Sequence, residues 1–481
     1  MKNAFLKYGL VAAATALPLT TLTSCGFDTT NLVDILNGIN AIANSNVSCA
    51  DAANYLQESV AAEGMLVDKI DTRGDYSMAL TLNASSINKL FRAASDWNYS
   101  LNVGLASIKL QIPTIQVGGC KAVSSLGYAY SGDLTNCLSF KIPLEGALIG
   151  GIDFSMSATF GIPITAELDG VSKSSIYVDL SKAQILDLSA GGSSTIPIAR
   201  DAIELALKEL FRDRLTKEHL FDIAAWQLGD KNIRMLAGAP RVNEAEGTLT
   251  FGMYSNLLFA QSGSVDWAYE MSFPKDAEIG LHIHPDLIRG LLARLMYETY
   301  VESSVDLDKE SAGDAAFSEV AAGIPVKKFT VTMADMSKDY DQALLLQQEP
   351  DFAKYFTFAF RLWSTETICG FMDILAGLHI TLNDQKFELK FGNVVSGKSS
   401  GGMSLFSGIL GIITQTQFFR DIMEYATLSF NFNELTVPDK DAPNGMRPAE
   451  MGSNHVEFVM NGTGISLFLN FIDKKLNATM N

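Results

Sequence analysis

Met78-Ala-Leu-Thr-Leu-Asn-Ala-Ser-Ser-Ile-Asn-Lys-Leu-Phe91 and Ile279-Gly-Leu-His-Ile-His-Pro-Asp-Leu-Ile-Arg-Gly-Leu-Leu292 follow one local plan. Each opens with apolar residues two apart, the spacing of a strand, and closes with apolar residues three and four apart, the spacing of a helix. Leu80, Leu82, Ile87, Leu90 and Phe91 correspond to Leu281, Ile283, Ile288, Leu291 and Leu292 at a constant offset of 201.

Working outward, further matches keep the same order while the offset grows, as insertions in one half would require. Val178 and Leu180 match Ile380 and Leu382 at 202, Phe211-Arg212-Asp213 match Phe419-Arg420-Asp421 at 208, and Leu249, Phe251 and Met253 match Ile465, Leu467 and Leu469 at 216. Two related lobes are expected, over residues 50–262 and 263–481, with the boundary near 260–264. Within the first, Leu101 to Val117 and Phe140 to Leu168 are strand-like. Ile196 to Leu215 changes period: its apolar stripe, opposed by Asp201, Glu204, Lys208 and Arg212, predicts a long amphipathic helix. A second long helix is expected from about Leu405.

The N-terminus reads as an export signal. Lys2 and Lys7 precede an apolar stretch from Tyr8 to Leu17, and Leu22-Thr23-Ser24-Cys25 follows. The last four residues resemble the bacterial lipobox, in which the cysteine is acylated. Residues 1–24 are then a lipoprotein signal peptide, Cys25 the membrane anchor and 25–49 a small, polar tether. Gly26 stands where inner-membrane retention would call for aspartate, which directs the expectation to the outer membrane of a bacterial envelope.

The formal charge of −18 becomes more negative once Lys2 and Lys7 are removed. Phosphate backbones and anionic surfaces are repelled by such a chain, so nucleic acid is excluded as a partner. Beyond Cys25 there are four cysteines, an even number in an exported chain, and three pairings are open. Cys120 and Cys137 flank a short segment containing Gly and Tyr, which favours their pairing and leaves Cys49 with Cys369; free core thiols are the alternative.

The order strand, helix, long strands, Gly/Ser linker, long helix, closing strands resembles the TULIP superfamily. Within it, the tandem lobes are similar to the bactericidal/permeability-increasing and lipid-transfer proteins. The resemblance is carried by the two strand-to-helix units and by the later helices beginning near Ile196 and Leu405. It implies an α+β fold of two lobes, each a long curved antiparallel sheet wrapped around a long amphipathic helix that leaves an apolar groove. Groove walls would be Ile87, Leu90, Phe91, Ile203, Leu207 and Leu210 in the first lobe, and Ile288, Leu291, Leu292, Leu295, Ile409 and Ile412 in the second. Endotoxin-binding members are basic where they meet lipid A, whereas this chain is acidic, so a neutral or zwitterionic lipid is the expected ligand.

Other motifs are weighed by context. Gly392-Asn-Val-Val-Ser-Gly397-Lys398-Ser399 matches a phosphate-binding loop, but the preceding Phe387–Phe391 alternates like a half-exposed strand and Ser400-Gly401-Gly402 delays the required helix. Gly397-Lys-Ser399-Ser-Gly401, with Asp421 and His455 following, has the order of a serine hydrolase but reads as a loose loop. His282 and His284 would share one face of a strand but lack a third metal ligand. Asp306-Leu-Asp308-Lys-Glu310 and Asp439-Lys-Asp441 read as solvated loops, because neither has the glycine placement of a calcium site. No metal and no cofactor is expected. The reading is a non-enzymatic lipoprotein that binds or shuttles a lipid or other acyl-chain ligand. Its main rival is a structural or adhesion lipoprotein with closed cores acting through protein contacts, with no protein partner named by the sequence; a serine esterase or lipase ranks third.

Overall fold

The computed structural model describes residues 48–54, 66–71, 76–94, 97–103, 106–120, 136–148, 152–190, 217–227, 233–257, 265–300, 305–306, 328–334, 340, 356–365, 369–383, 386–400, 429–431, 436–439, 441–443, 445–459 and 464–478. The segments expected to form the signal peptide and tether, the two long helices and the lobe boundary lie outside these residues, apart from the tether's last two positions.

Strands Met78–Asn83 and Ile279–Ile283 lie side by side at the centre of a seven-stranded antiparallel sheet. Outward from the first run Thr248–Ser255, Arg234–Asn243 and Trp226–Gln227; outward from the second run Gly464–Phe471 and Met451–Val459. The register is symmetric. Leu80 faces Phe251 and Leu82 faces Leu249, while Leu281 faces Leu467 and Ile283 faces Ile465, each pair being the other shifted by the offsets of the repeat. Alternation puts these residues on one face, where all are buried in a single hydrophobic core. The opposite face is covered by the segment that follows Val265. Its Trp267 packs edge-on against His282, and Phe273 packs against Phe468. Gly252 leaves room for the Tyr76 ring, since a Cβ there would meet it at 2.8 Å, and Gly464 does the same for Trp267.

Each half adds a further antiparallel sheet, eight-stranded in the first, where Thr114–Val117 and Gln184–Ala190 pair beside a path of six strands, and six-stranded in the second. The first runs Tyr99–Val103, Ala106–Leu110, Cys137–Leu148, Ile152–Leu168, Lys173–Val178 and Glu218–Ala224. The second runs Val305–Asp306, Lys328–Met333, Phe356–Ser364, Gly370–Asn383, Lys386–Ser399 and Ser429–Asn431, with the same meander order. One earlier match does not survive this comparison: Val178 ends the fifth strand of its sheet, whereas Ile380 lies in the fourth strand of the other.

The expected α+β class, with each sheet wrapped around a long helix, is corrected. Among the described residues antiparallel strands dominate, and the helices are short: a stretch at 49–54, Ala84–Ala94, Pro285–Tyr300 and Lys474–Ala478. The cause is strand length. The period-two runs extend to 12 and 17 residues in Cys137–Leu148 and Ile152–Leu168, and their apolar faces are buried in the same core as the helix stripes. The segment 397–399, read as part of a loose loop, is likewise the end of the 14-residue strand Lys386–Ser399.

The two described helices that open each half start by the same device. Asn83 Oδ1 accepts from the Ser86 amide at 2.9 Å, and at the equivalent position His284 Nδ1 accepts from the Asp286 amide at 3.1 Å, ahead of Pro285 in the first turn. Asn88 then ties its helix to strand Thr114–Val117, donating to the Ile115 carbonyl at 2.7 Å and accepting from the Ile115 amide at 2.8 Å. Disulfides Cys49–Cys369 and Cys120–Cys137 are both formed, the first joining residues 320 apart in sequence.

Candidate functional site

Six of the twelve groove-wall residues are described well enough to place. Ile87, Leu90 and Phe91 lie on one face of Ala84–Ala94, and Ile288, Leu291 and Leu292 lie on one face of Pro285–Tyr300. All six are buried within the continuous core, Phe91 edge-on to Trp97 and Phe140. Leu295 belongs to Pro285–Tyr300, but its side chain lies outside the described set. Ile203, Leu207, Leu210, Ile409 and Ile412 lie outside the described residues altogether, as does Cys25.

The long strands carry the more extensive apolar surface. On Cys137–Leu148, Leu138, Phe140, Ile142 and Leu144 are buried, Ser139 between the first two is buried too, and Lys141, Pro143 and Glu145 on the other face are exposed. They pair with Ile162, Phe160, Ala158 and Met156 of Ile152–Leu168. In the second half Phe358, Phe360 and Leu362 pair with Ala376, Ile374 and Met372. Each half thus presents one strictly apolar inner sheet face, built by alternation from two adjacent strands.

The outer face of the second sheet holds a buried ion pair. Asp373, with no exposed surface, accepts from Arg361 Nε and Nη2 at 2.7 and 2.9 Å and from Tyr340 Oη at 2.6 Å. Burial, and then the Asp373 charge, push the Tyr340 phenol well above its ordinary range. Tyr340 Oη also accepts from the Lys398 amide at 2.8 Å, so this part of the P-loop-like motif is a strand edge that receives a tyrosine. The segment 392–399 lies within strand Lys386–Ser399, where a phosphate-binding motif would need a loop, and the nucleotide reading loses its context. Of the hydrolase set, Ser399 ends one strand, His455 sits in Met451–Val459 of another sheet, and Asp421 lies outside the described residues.

His282 is buried, with Nδ1 2.8 Å from Ser466 Oγ and Nε2 3.0 Å from Thr81 Oγ1, and Thr81 lies 2.9 Å from Thr250. Four hydroxyl or imidazole groups therefore cross the four central strands in one line. Burial holds the His282 imidazole down to about 3, and burial also lowers His284. Both His282 nitrogens are occupied by hydroxyls, which removes it as a metal ligand. Asp439, expected to be solvated, is instead buried and bound to Lys475 at 2.6 Å and Arg447 at 2.8 Å, whereas Asp441 is exposed as expected and reaches Lys475 at 2.7 Å.

One feature had no sequence signal. A polar cleft of about 350 Å³ opens where Asn83, Ser85 and Lys89 meet Lys275–Glu278, Asn470–Phe471 and Asn477. Lys89 Nζ donates to Glu278 Oε1 at 2.6 Å and to Asn477 Oδ1, and Glu278 also accepts from Ser85 Oγ and from the Phe471 amide, each at 3.0 Å. The partners lie 189 and 388 residues apart in the chain, beyond any local pattern.

No protein-family model matches this chain, and no curated protein matches it. Among solved structures it is similar to P47 of Clostridium botulinum E1, with 9% identity and a TM-score of 0.38 over 83% of this chain and 99% of that one. It is also similar to P47 from Clostridium botulinum A2, with 10% identity and a TM-score of 0.35 over 84% of this chain and 98% of that one. Likeness at this level defines neither a fold nor a function for the chain.

Proposed function

We propose that this chain is an exported, acyl-anchored protein of the bacterial envelope that binds or shuttles a lipid or another acyl-chain ligand without catalysing a reaction. The observation that carries the reading is the one-sided apolar face of the paired long strands in each half, from Leu138 to Leu144 with Met156 to Ile162, and from Phe358 to Leu362 with Met372 to Ala376. An extended surface without polar interruption suits an acyl chain, which lacks groups to hydrogen-bond. At about 0.8 kcal/mol per buried methylene, a sixteen-carbon chain gains on the order of 10 kcal/mol before ordering costs. These faces are covered in the structure, so ligand uptake exchanges one apolar cover for another.

The lipobox-like Leu22–Cys25 supports anchoring through acylated Cys25, and Gly26 supports the outer membrane. The acidic balance of −18 supports a neutral or zwitterionic lipid over an anionic one. The resemblance of the strand-to-helix units to the TULIP superfamily belongs to this proposal. Titration with a fluorescent fatty acid tests it: saturable emission reversed by unlabelled oleate is expected, and no saturable uptake contradicts it.

A second reading, a structural or adhesion lipoprotein, is favoured by the enclosure of Ile87, Leu90, Phe91, Ile288, Leu291 and Leu292 in one continuous core. It predicts the absence of lipid uptake in the same titration.

A further inference from the structure

We propose that the polar cleft between Ser85, Lys89, Lys275, Asn470 and Asn477 is a second binding site, for a neutral saccharide unit. The argument rests on the cleft alone, independently of the lipid reading.

Its charges cancel. Lys89 and Lys275 stand against Asp276 and Glu278, in a chain whose net charge is −18, so the cleft attracts neither anions nor cations. What remains is a dense set of amides and a hydroxyl, fixed by their own contacts. Asn83 donates to the Ala277 carbonyl at 2.7 Å, Asn470 to the Asp276 carbonyl at 2.9 Å and Asn477 to the Phe471 carbonyl at 2.9 Å. Asn470 Oδ1 keeps no hydrogen-bond partner among the described residues. A sugar hydroxyl both donates and accepts, so a ring bearing several of them can reach Asn470 Oδ1 and the polar rim at once, whereas an apolar ligand would leave that oxygen unpaired. The volume, about 350 Å³, falls at the lower end of small-molecule sites.

The repeat supplies an independent control. At the offset of 201, Ser85 and Lys89 correspond to Asp286 and Gly290, and at 216 Asn470 corresponds to Tyr254. Core positions stay apolar in both halves while these three change type. The strand plan therefore does not require the polar set, which joins helix Ala84–Ala94 to Glu278 and Asn477 and leaves a polar cleft between them.

Saturation-transfer NMR on the full chain in a sugar-free detergent, with N-acetylglucosamine, maltose and glycine as probes, tests the site. Saturable transfer to at least one saccharide is expected, weakened tenfold or more in both Lys275→Ala and Asn470→Ala at an unchanged melting temperature. Three results overturn the proposal: no saturable saccharide signal, a signal that neither substitution alters, or binding of glycine alone.

Discussion

Leu80 lies directly opposite Leu281 in the pairing of the two central strands, and the same two residues are equivalent positions of the internal repeat, 201 apart. Only an approximate two-fold axis through this pair satisfies both relationships. Under it Met78 faces Ile283 and Leu82 faces Ile279, the same relation read from either side. The two halves therefore meet through equivalent strands, and one sheet belongs to both.

Truncation at the axis should be equally costly from either side. Leu80→Ala and Leu281→Ala, at 1% and 5% exposure, should each lose about 3 kcal/mol, with the double variant departing from additivity because the residues touch. Urea unfolding of the three variants checks this; a near-zero cost at either position would contradict the shared core.

Acid should destabilise the central sheet before the carboxylates titrate. His282 is held neutral in the folded state at about 3, below the ordinary 6.5, so the unfolded chain binds its proton first. Stability is complete above pH 6.5 and falls as pH drops toward 3, by about 2 kcal/mol at pH 5. His284, lowered by burial and serving as an acceptor cap through Nδ1, adds in the same direction. Melting temperatures between pH 7.5 and 5 should fall for the parent and flatten in His282→Gln.

Breaking the buried pair on the second sheet should cost far more than breaking a surface pair. Asp373→Asn leaves Arg361 without its buried counter-charge and should lose about 3–5 kcal/mol. Glu167→Gln, which removes the partner of Lys217 at a largely exposed site, should change stability by less than about 1 kcal/mol. Parallel denaturation curves separate the two.

Reduction should act unequally at the two disulfides. In the loop-entropy picture Cys120–Cys137, closing 17 residues, contributes about 3 kcal/mol, and Cys49–Cys369, separated by 320, roughly 6 kcal/mol. Paired Cys→Ser variants in denaturant check the order, which the account expects to favour Cys49–Cys369.

Local patterning carried much of this architecture. The strand-to-helix handover at Asn83 and His284 was legible because the side chain there caps a helix in both halves, and Leu249–Met253 could be matched to Ile465–Leu469 by period alone. What failed was the weight given to helices. Glycine and serine at 397–401 look like a loose loop, yet Gly397 is small because Tyr340 Oη and Asp373 occupy the space a side chain would take, so the strand continues through it to Ser399. The cleft was illegible for another reason. Lys89, Glu278 and Asn477 converge only through the paired strands, and each alone is an unremarked polar residue.

Native mass spectrometry with solvent extraction, on the soluble chain lacking residues 1–25, tests the lipid-binding account most directly. The account predicts a stoichiometric co-purifying lipid, neutral or zwitterionic, released on denaturation. A lipid-free protein that also fails to take up fluorescent fatty acid would contradict it and leave the structural reading.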